Sequence, residues 1–193
     1  MSEIKVDKIS PRAGTDVTLG DSGDTFTIPS GATIANSGTA TGFGENNSPS
    51  WMAKIAATQT LSANTWTVIQ IASEQIDTDS AFDTSTYAFT VPSGKGGYYL
   101  VTGGCMFPNG NDGYHYRLRF TIGGSTCGYS TWGRHEVNSS GGSQDATFSV
   151  ILNLSAGDVV KMEGYSETAG DLGAASGDEQ ERCFFGGFLV AGV

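Results

Sequence analysis

His115 and His135 are the only histidines in the chain and its candidates for acid–base work near neutral pH. Each stands beside aromatics, Tyr114 and Tyr116 for the first and Trp132 for the second. A nucleophilic hydrolase built on either would need a serine in register, and the sequence contains no Gly-x-Ser-x-Gly elbow. No catalytic residue is assigned. Asp77, Asp79 and Asp83 are spaced like the early ligands of a calcium loop. However, Phe82 stands where such a loop needs glycine, and Ala88 where it needs a bidentate acid. A solvated acidic loop fits better. Tyr114, Tyr116, Tyr129, Trp132 and Arg134 point to another chemistry: rings stack on sugar faces while polar neighbours read hydroxyls. They are the candidate glycan contacts. The competing reading is packing, because a small sandwich needs most of its large aromatics inside. Cys105, Cys127 and Cys183 are odd in number and form no Cys-x-x-Cys or Cys/His cluster. Buried thiols are expected, with neither metal nor cofactor.

The elements that must position these residues are strands. Hydrophobic residues make up 38% and charged residues 16% of the 193 positions, so Ser, Thr, Asn and Gly carry much of the surface. The 28 glycines disfavour helix, while Thr, Val, Ile and aromatics favour strand, so an all-β chain is expected. Asp and Glu total 20 against 10 Lys and Arg, a net charge of −10 that repels nucleic-acid phosphates and anionic lipid. No apolar run approaches the length of a membrane span, and no apolar signal core follows Met1.

Residues 1–35 alternate apolar and polar at 4–9, 16–19 and 24–28, with a further short strand expected at 32–34. So short a segment cannot bury its own core. It is expected to be a β stalk stabilised by partner chains. Residues 36–50 are a Gly/Ser/Asn-rich linker holding one large apolar residue, Phe43. From 51 to 193, strands are expected near 53–57, 66–71, 87–91, 97–107, 114–122, 127–134, 144–154, 158–166 and 183–191. The loop 167–182, acidic and Gly-rich, is expected to be mobile and exposed. The last strand is apolar on both faces. Phe184, Gly186, Phe188 and Val190 share one, and Phe185, Gly187, Leu189 and Ala191 the other. One face can fill a sandwich; the other needs a second surface, and another copy of the chain is the natural one.

Three motifs carry a resemblance. Phe82-Asp83 precedes Phe89-Thr90-Val91-Pro92-Ser93-Gly94-Lys95-Gly96-Gly97-Tyr98-Tyr99-Leu100. Leu154-Ser155-Ala156-Gly157-Asp158-Val159 follows, then Phe185-Gly186-Gly187-Phe188-Leu189. Together, in this order, they resemble the C1q/TNF-like jelly roll over about residues 51–193. The resemblance implies a ten-strand sandwich forming a trimer about a threefold axis, with the terminal strands near that axis. Phe184, Phe185, Phe188, Leu189, Tyr98 and Leu100 then belong to the trimer interface or the core beside it. Gly157-Asp158 is expected to close a tight hairpin. At such an axis, an acid from Asp178, Glu179 or Glu181 of each copy can ring a cation. The collagen repeat of animal C1q proteins is missing, so complement or hormone-like functions do not carry over.

Residues 2–12, followed by 19–31, are similar to the start of tail-fibre-like structural proteins of tailed bacteriophages, notably those of marine cyanobacteria. That likeness implies attachment to the virion through Ile4, Val6, Ile9, Leu19, Phe26 and Ile28. The expected protein is a homotrimeric fibre or spike, assembled in the host cytoplasm and exposed on the particle. Its base would dock on other virion proteins, and its head would touch a host glycan or protein. A head-decoration or neck protein without host binding is the alternative. A polysaccharide depolymerase would need paired carboxylates in a groove, and the acids here fall mostly in expected loops.

Overall fold

Period-two alternation puts successive side chains on opposite faces of a strand, and turn residues break the runs apart. A computed structural model describes residues 9–33, 47–110, 115–134, 142–172 and 183–192, with backbone alone at 108–110, 131–134 and 142–144. The chain divides into two compact units, Met1–Phe43 and Gly44–Val193. Among the described residues there are thirteen strands and no helix. They are β1 (Ser50–Ile55), β2 (Gln59–Leu61), β3 (Thr67–Val68), β4 (Ile71–Asp77), β5 (Phe82–Asp83), β6 (Ala88–Thr90) and β7 (Gly97–Gly110). Then come β8 (His115–Ile122), β9 (Ser125–Arg134), β10 (Gly142–Leu154), β11 (Val159–Ser166), β12 (Gly170–Leu172) and β13 (Phe184–Gly192).

All thirteen belong to the second unit. One sheet runs β10-β7-β13-β1-β4 and the other β5-β6-β11-β8-β9, with β3 added beside β11 and β12 paired to β2. The two five-strand paths are the ten strands of a jelly roll. Their facing sides close over a core of Trp51, Phe89, Tyr99, Phe120, Phe185, Leu118, Met162 and their neighbours. The Trp51 ring stacks on Phe89 at 3.6 Å between centroids and meets Phe185 edge-on at 5.7 Å. Gly187 makes room for this stack. A Cβ there would lie 2.6 Å from Trp51 Cη2 and 2.5 Å from the Leu100 carbonyl oxygen.

The structure corrects several expectations. The run 66–71 is two strands in different sheets: β3 pairs with β11, and β4 pairs with β1. Between them the Gln59 side chain takes over the backbone bonding. Its Nε2 donates to the Val68 carbonyl and its Oε1 accepts from the Gln70 N–H, both at 2.8 Å. A buried chain that changes sheets leaves peptide groups without a ladder, and a side-chain amide satisfies one donor and one acceptor at once. Likewise, Gly157-Asp158 is no hairpin. β10 and β11 lie in opposite sheets, so this turn carries the chain across the sandwich, with the Gly157 N–H bonded to the Val91 carbonyl at 2.9 Å. The loop expected to be exposed includes β12, whose Leu172 is fully buried. Residues 173–182 lie outside the described residues. In the single chain, 16–19 and 24–28 of the first unit belong to no strand, and the stalk expected there takes its pairing from partner chains. A strand needs a neighbour to bond, and so short a stretch of one chain offers none. Residues 4–8 and 34 lie outside the described residues.

Candidate functional site

In an antiparallel sheet, directly paired residues point to the same face. The pairing of β10, β7, β13 and β1 therefore sorts the outward side into rows. One row is Ile151, Leu100, Phe188 and Ser50. The next is Ser149, Thr102, Gly186 and Met52, which continues to Ile76 of β4. The third is Thr147, Gly104, Phe184 and Lys54. Ile151 is 59% exposed, Ile76 52%, Val190 46% and Tyr98 45%. Phe184, Phe188, Leu100 and Met52 are half-buried. Isolated exposed hydrophobics are ordinary, but this set is contiguous across the sheet, which is the mark of an interaction surface.

Glycine keeps that surface low. A Cβ on Gly104 would come within 2.6 Å of Thr147 Cγ2 and 2.8 Å of the Phe184 ring. One on Gly186 would come within 3.0 Å of Met52 Sδ. Phe184 and Met52 thus lie down over bare backbone. On this face the Ser149 Oγ donates to Thr102 Oγ1 at 2.7 Å. Of the six interface-or-core residues named from sequence, Phe184, Phe188, Tyr98 and Leu100 lie on this outward side. Phe185 and Leu189 point the other way and are buried in the sandwich, so they support the sheet from inside. Ile151, Met52 and Ile76 were missed. Val150-Ile151-Leu152 is apolar throughout, so alternation gave Ile151 no face.

The other sheet presents a different outward surface. Arg119 forms an ion pair with Glu163 at 2.6 Å, and its guanidinium lies 4.2 Å from the centre of the Trp66 ring. Arg117 lies 5.1 Å from the Tyr165 ring, and Trp66 and Tyr165 are 5.3 Å apart. Cations and rings here saturate one another. At the end of β8 the His115 N–H and ring Nδ1 both contact the Glu167 carboxylate, at 3.0 and 2.9 Å. The backbone hydrogen bond, then the ring contact, holds the Glu167 carboxyl below its usual range. His135 lies outside the described residues.

The candidate glycan residues do not form one described site. Tyr116 is 2% exposed and packs on Phe107 at 5.0 Å, at the base of a cleft of about 360 Å³ that Thr60, Ser166 and Asp171 also line. Its ring face belongs to the core, which corrects the expectation for that residue. Tyr129 is 59% exposed on β9, which ends its sheet path. The backbones of Trp132 and Arg134 pair with Arg117 and His115. Tyr114 and the side chains of Trp132 and Arg134 lie outside what is described.

Asp77 and Asp83 each serve their own turn, and Asp79 ties its turn to Ser48. Asp77 accepts the N–H groups of Asp79, Ala81 and Phe82. Asp79 accepts from the Ser48 and Thr78 hydroxyls, chiefly Ser48, and its carboxyl is held below the usual range. Asp83 accepts from the Ser85 hydroxyl and N–H and from Thr86, which lowers its pKa to about 2. No group of three ligating side chains converges among the described residues. Asp178, Glu179 and Glu181 lie outside them. In the first unit Ile9, Leu19, Phe26 and Ile28 are exposed, while Ile4 and Val6 are not described.

No family model matches this sequence, and no curated protein is similar to it in sequence. Solved structures are similar in fold. The globular domain of zebrafish complement 1qA covers 75% of this chain and 99% of its own, at 16% identity and a TM-score of 0.52. Eiger TNF from S. frugiperda covers 75% and 93%, at 13% identity and 0.56. Murine APRIL covers 73% and 98%, at 12% identity and 0.53. At such identities the likeness is one of architecture, and it agrees with the strand order: the second unit is a jelly-roll sandwich of the C1q/TNF-like fold.

Proposed function

We propose that the head assembles as a homotrimer through the outward side of the β10-β7-β13-β1-β4 sheet. The observation that carries this is the contiguous apolar surface of Phe188, Leu100, Ile151, Phe184 and Tyr98, flattened by Gly104 and Gly186. Burying such a surface between copies is favourable by roughly 25 cal/mol per Å² of apolar area removed from water. The occupant is a second copy, because a strand apolar on both sides in a small sandwich finds its complement most economically in itself.

We further propose that the trimer is a structural protein of a tailed-phage virion, a tail fibre or spike whose head contacts the host surface. Two things support this reading: the likeness of residues 2–12 and 19–31 to phage fibre bases, and the exposed Ile9, Leu19, Phe26 and Ile28 in that same segment. Those side chains suit docking on another virion protein. Three heads act together, so weak individual contacts to a surface glycan gain avidity. Tyr129, Trp132 and Arg134, all on β9, are the proposed contacts.

The test takes the full chain, labels it, and measures adsorption to cyanobacterial cells and to glycan arrays. Saturable adsorption lost in Tyr129→Ala supports the host-contact reading. Trimers that adsorb to nothing, with antibody to the head decorating phage capsids and not tails, would favour the decoration reading.

A further inference from the structure

Cys105 and Cys183 are left unused by every role above. Strand register settles their relation. Phe184 of β13 faces Gly104 of β7, so one step along places Cys183 opposite Cys105. In a central antiparallel strand, successive residues turn their N–H and C=O toward alternate neighbours. The Ile55 N–H donates to the Cys183 carbonyl at 3.0 Å, which sends the Cys183 peptide groups toward β1. Toward β7, Cys183 therefore holds a non-hydrogen-bonded position. Such pairs bring Cα atoms to about 4.5 Å with side chains closer still, a separation a disulfide spans.

Both thiols face the sandwich interior; Cys105 is 1% exposed and Cys183 0%. The Cys183 Sγ leans toward β7, 3.9 Å from the Met106 carbonyl oxygen. Burial pushes the Cys105 thiol well above its ordinary pKa, and a hydrogen bond with Cys183 adds to it. The pair is thus in contact and shielded from solvent.

We propose that Cys105 and Cys183 are a redox site: they close to a cross-strand disulfide that staples the C-terminal strand β13 to β7. The oxidant is a small two-electron acceptor, a peroxide. One thiolate attacks hydrogen peroxide, breaks the O–O bond, and becomes a sulfenic acid as water leaves. The second thiol displaces the sulfenic oxygen as a further water, and the Sγ–Sγ bond forms. Two thiols thus lose two electrons and two protons, and the peroxide becomes two waters. Because both sulfurs are buried, reaction waits on local opening of β13 and is slow beside that of Cys127. The bond closes a loop of about 80 residues, which strongly restricts the unfolded chain. The inference stands on register and burial and does not depend on the assembly proposal.

The experiment uses the full chain carrying Cys127→Ser, which removes the partly exposed thiol. The protein is treated with hydrogen peroxide, quenched with catalase, unfolded in the presence of iodoacetamide and weighed. The expected product is lighter than the reduced chain by two hydrogens, takes up no alkyl group, and reverts with dithiothreitol. Its Tm rises by on the order of 10 °C. Adding Cys183→Ser, or separately Cys105→Ala, should abolish both changes. Two alkylated thiols after oxidation, sulfinic acid on either cysteine, or disulfide-linked pairs of chains would each overturn the proposal.

Discussion

Replacing Phe188 by Asp puts a carboxylate into the middle of the row Ile151, Leu100, Phe188 and Ser50. In a single chain this ring is half-buried and points outward, so its loss opens no cavity in the core and the head should fold. At a seam between copies the cost is large. Each copy forfeits burial of a phenyl ring, about 2 kcal/mol, and must strip water from an unpaired carboxylate, at least about 2 kcal/mol more. Threefold symmetry multiplies the sum to at least about 12 kcal/mol per trimer, roughly nine powers of ten in the association constant. Native mass spectrometry and sedimentation at low micromolar concentration read this directly, with near-ultraviolet circular dichroism reporting the core. The expected result is a wild-type trimer and a folded Phe188→Asp monomer. Tyr129→Asp, on the opposite sheet, should remain a trimer. A Phe188→Asp trimer of wild-type mass would refute the placement of the seam.

Gly187→Ala forces a methyl against the Leu100 oxygen and the Trp51 ring, at 2.5 and 2.6 Å. Backbone cannot yield there, so urea unfolding should show a loss of about 2 kcal/mol or more, with m unchanged. Trp51→Ala removes the ring that Phe89, Phe185 and Tyr99 pack against and should cost about 3–5 kcal/mol in the same assay. Stability should fall at both ends of the pH scale, followed by melting temperature. The Asp83 carboxyl is lowered from 3.8 to about 2, so its turn-capping contribution is complete above 3.8 and disappears as pH drops toward 2. The Tyr99 hydroxyl, which donates to the Lys95 carbonyl, is raised from 10.0 to about 12, first by burial and then by the Asp79 charge. Its contribution is complete below 10.0 and is lost as pH climbs toward 12.

Much of this protein was legible because strand alternation is a local property. Phe184 and Phe188 fall on one side of β13 and Phe185 and Leu189 on the other whatever lies beside them, and the burial agrees. Composition likewise excluded helix, since glycine and β-branched residues act on the backbone one residue at a time. Short strands were harder. Gln59–Leu61 and Gly170–Leu172 are each three residues long, too brief to show a period. They exist because each is the other's partner across more than a hundred positions of sequence.

The sequence by itself determined which residues could share a face, because side-chain direction in a strand follows from neighbouring peptides alone. Which strands would meet was decided only in the tertiary structure. There β3 and β4 part into opposite sheets, Gly157 turns the chain across the sandwich, Tyr116 goes inside, and Cys183 comes to lie opposite Cys105. Those outcomes depend on long-range pairing, in which every peptide group must find a partner and every apolar face a cover, and no local pattern encodes that choice.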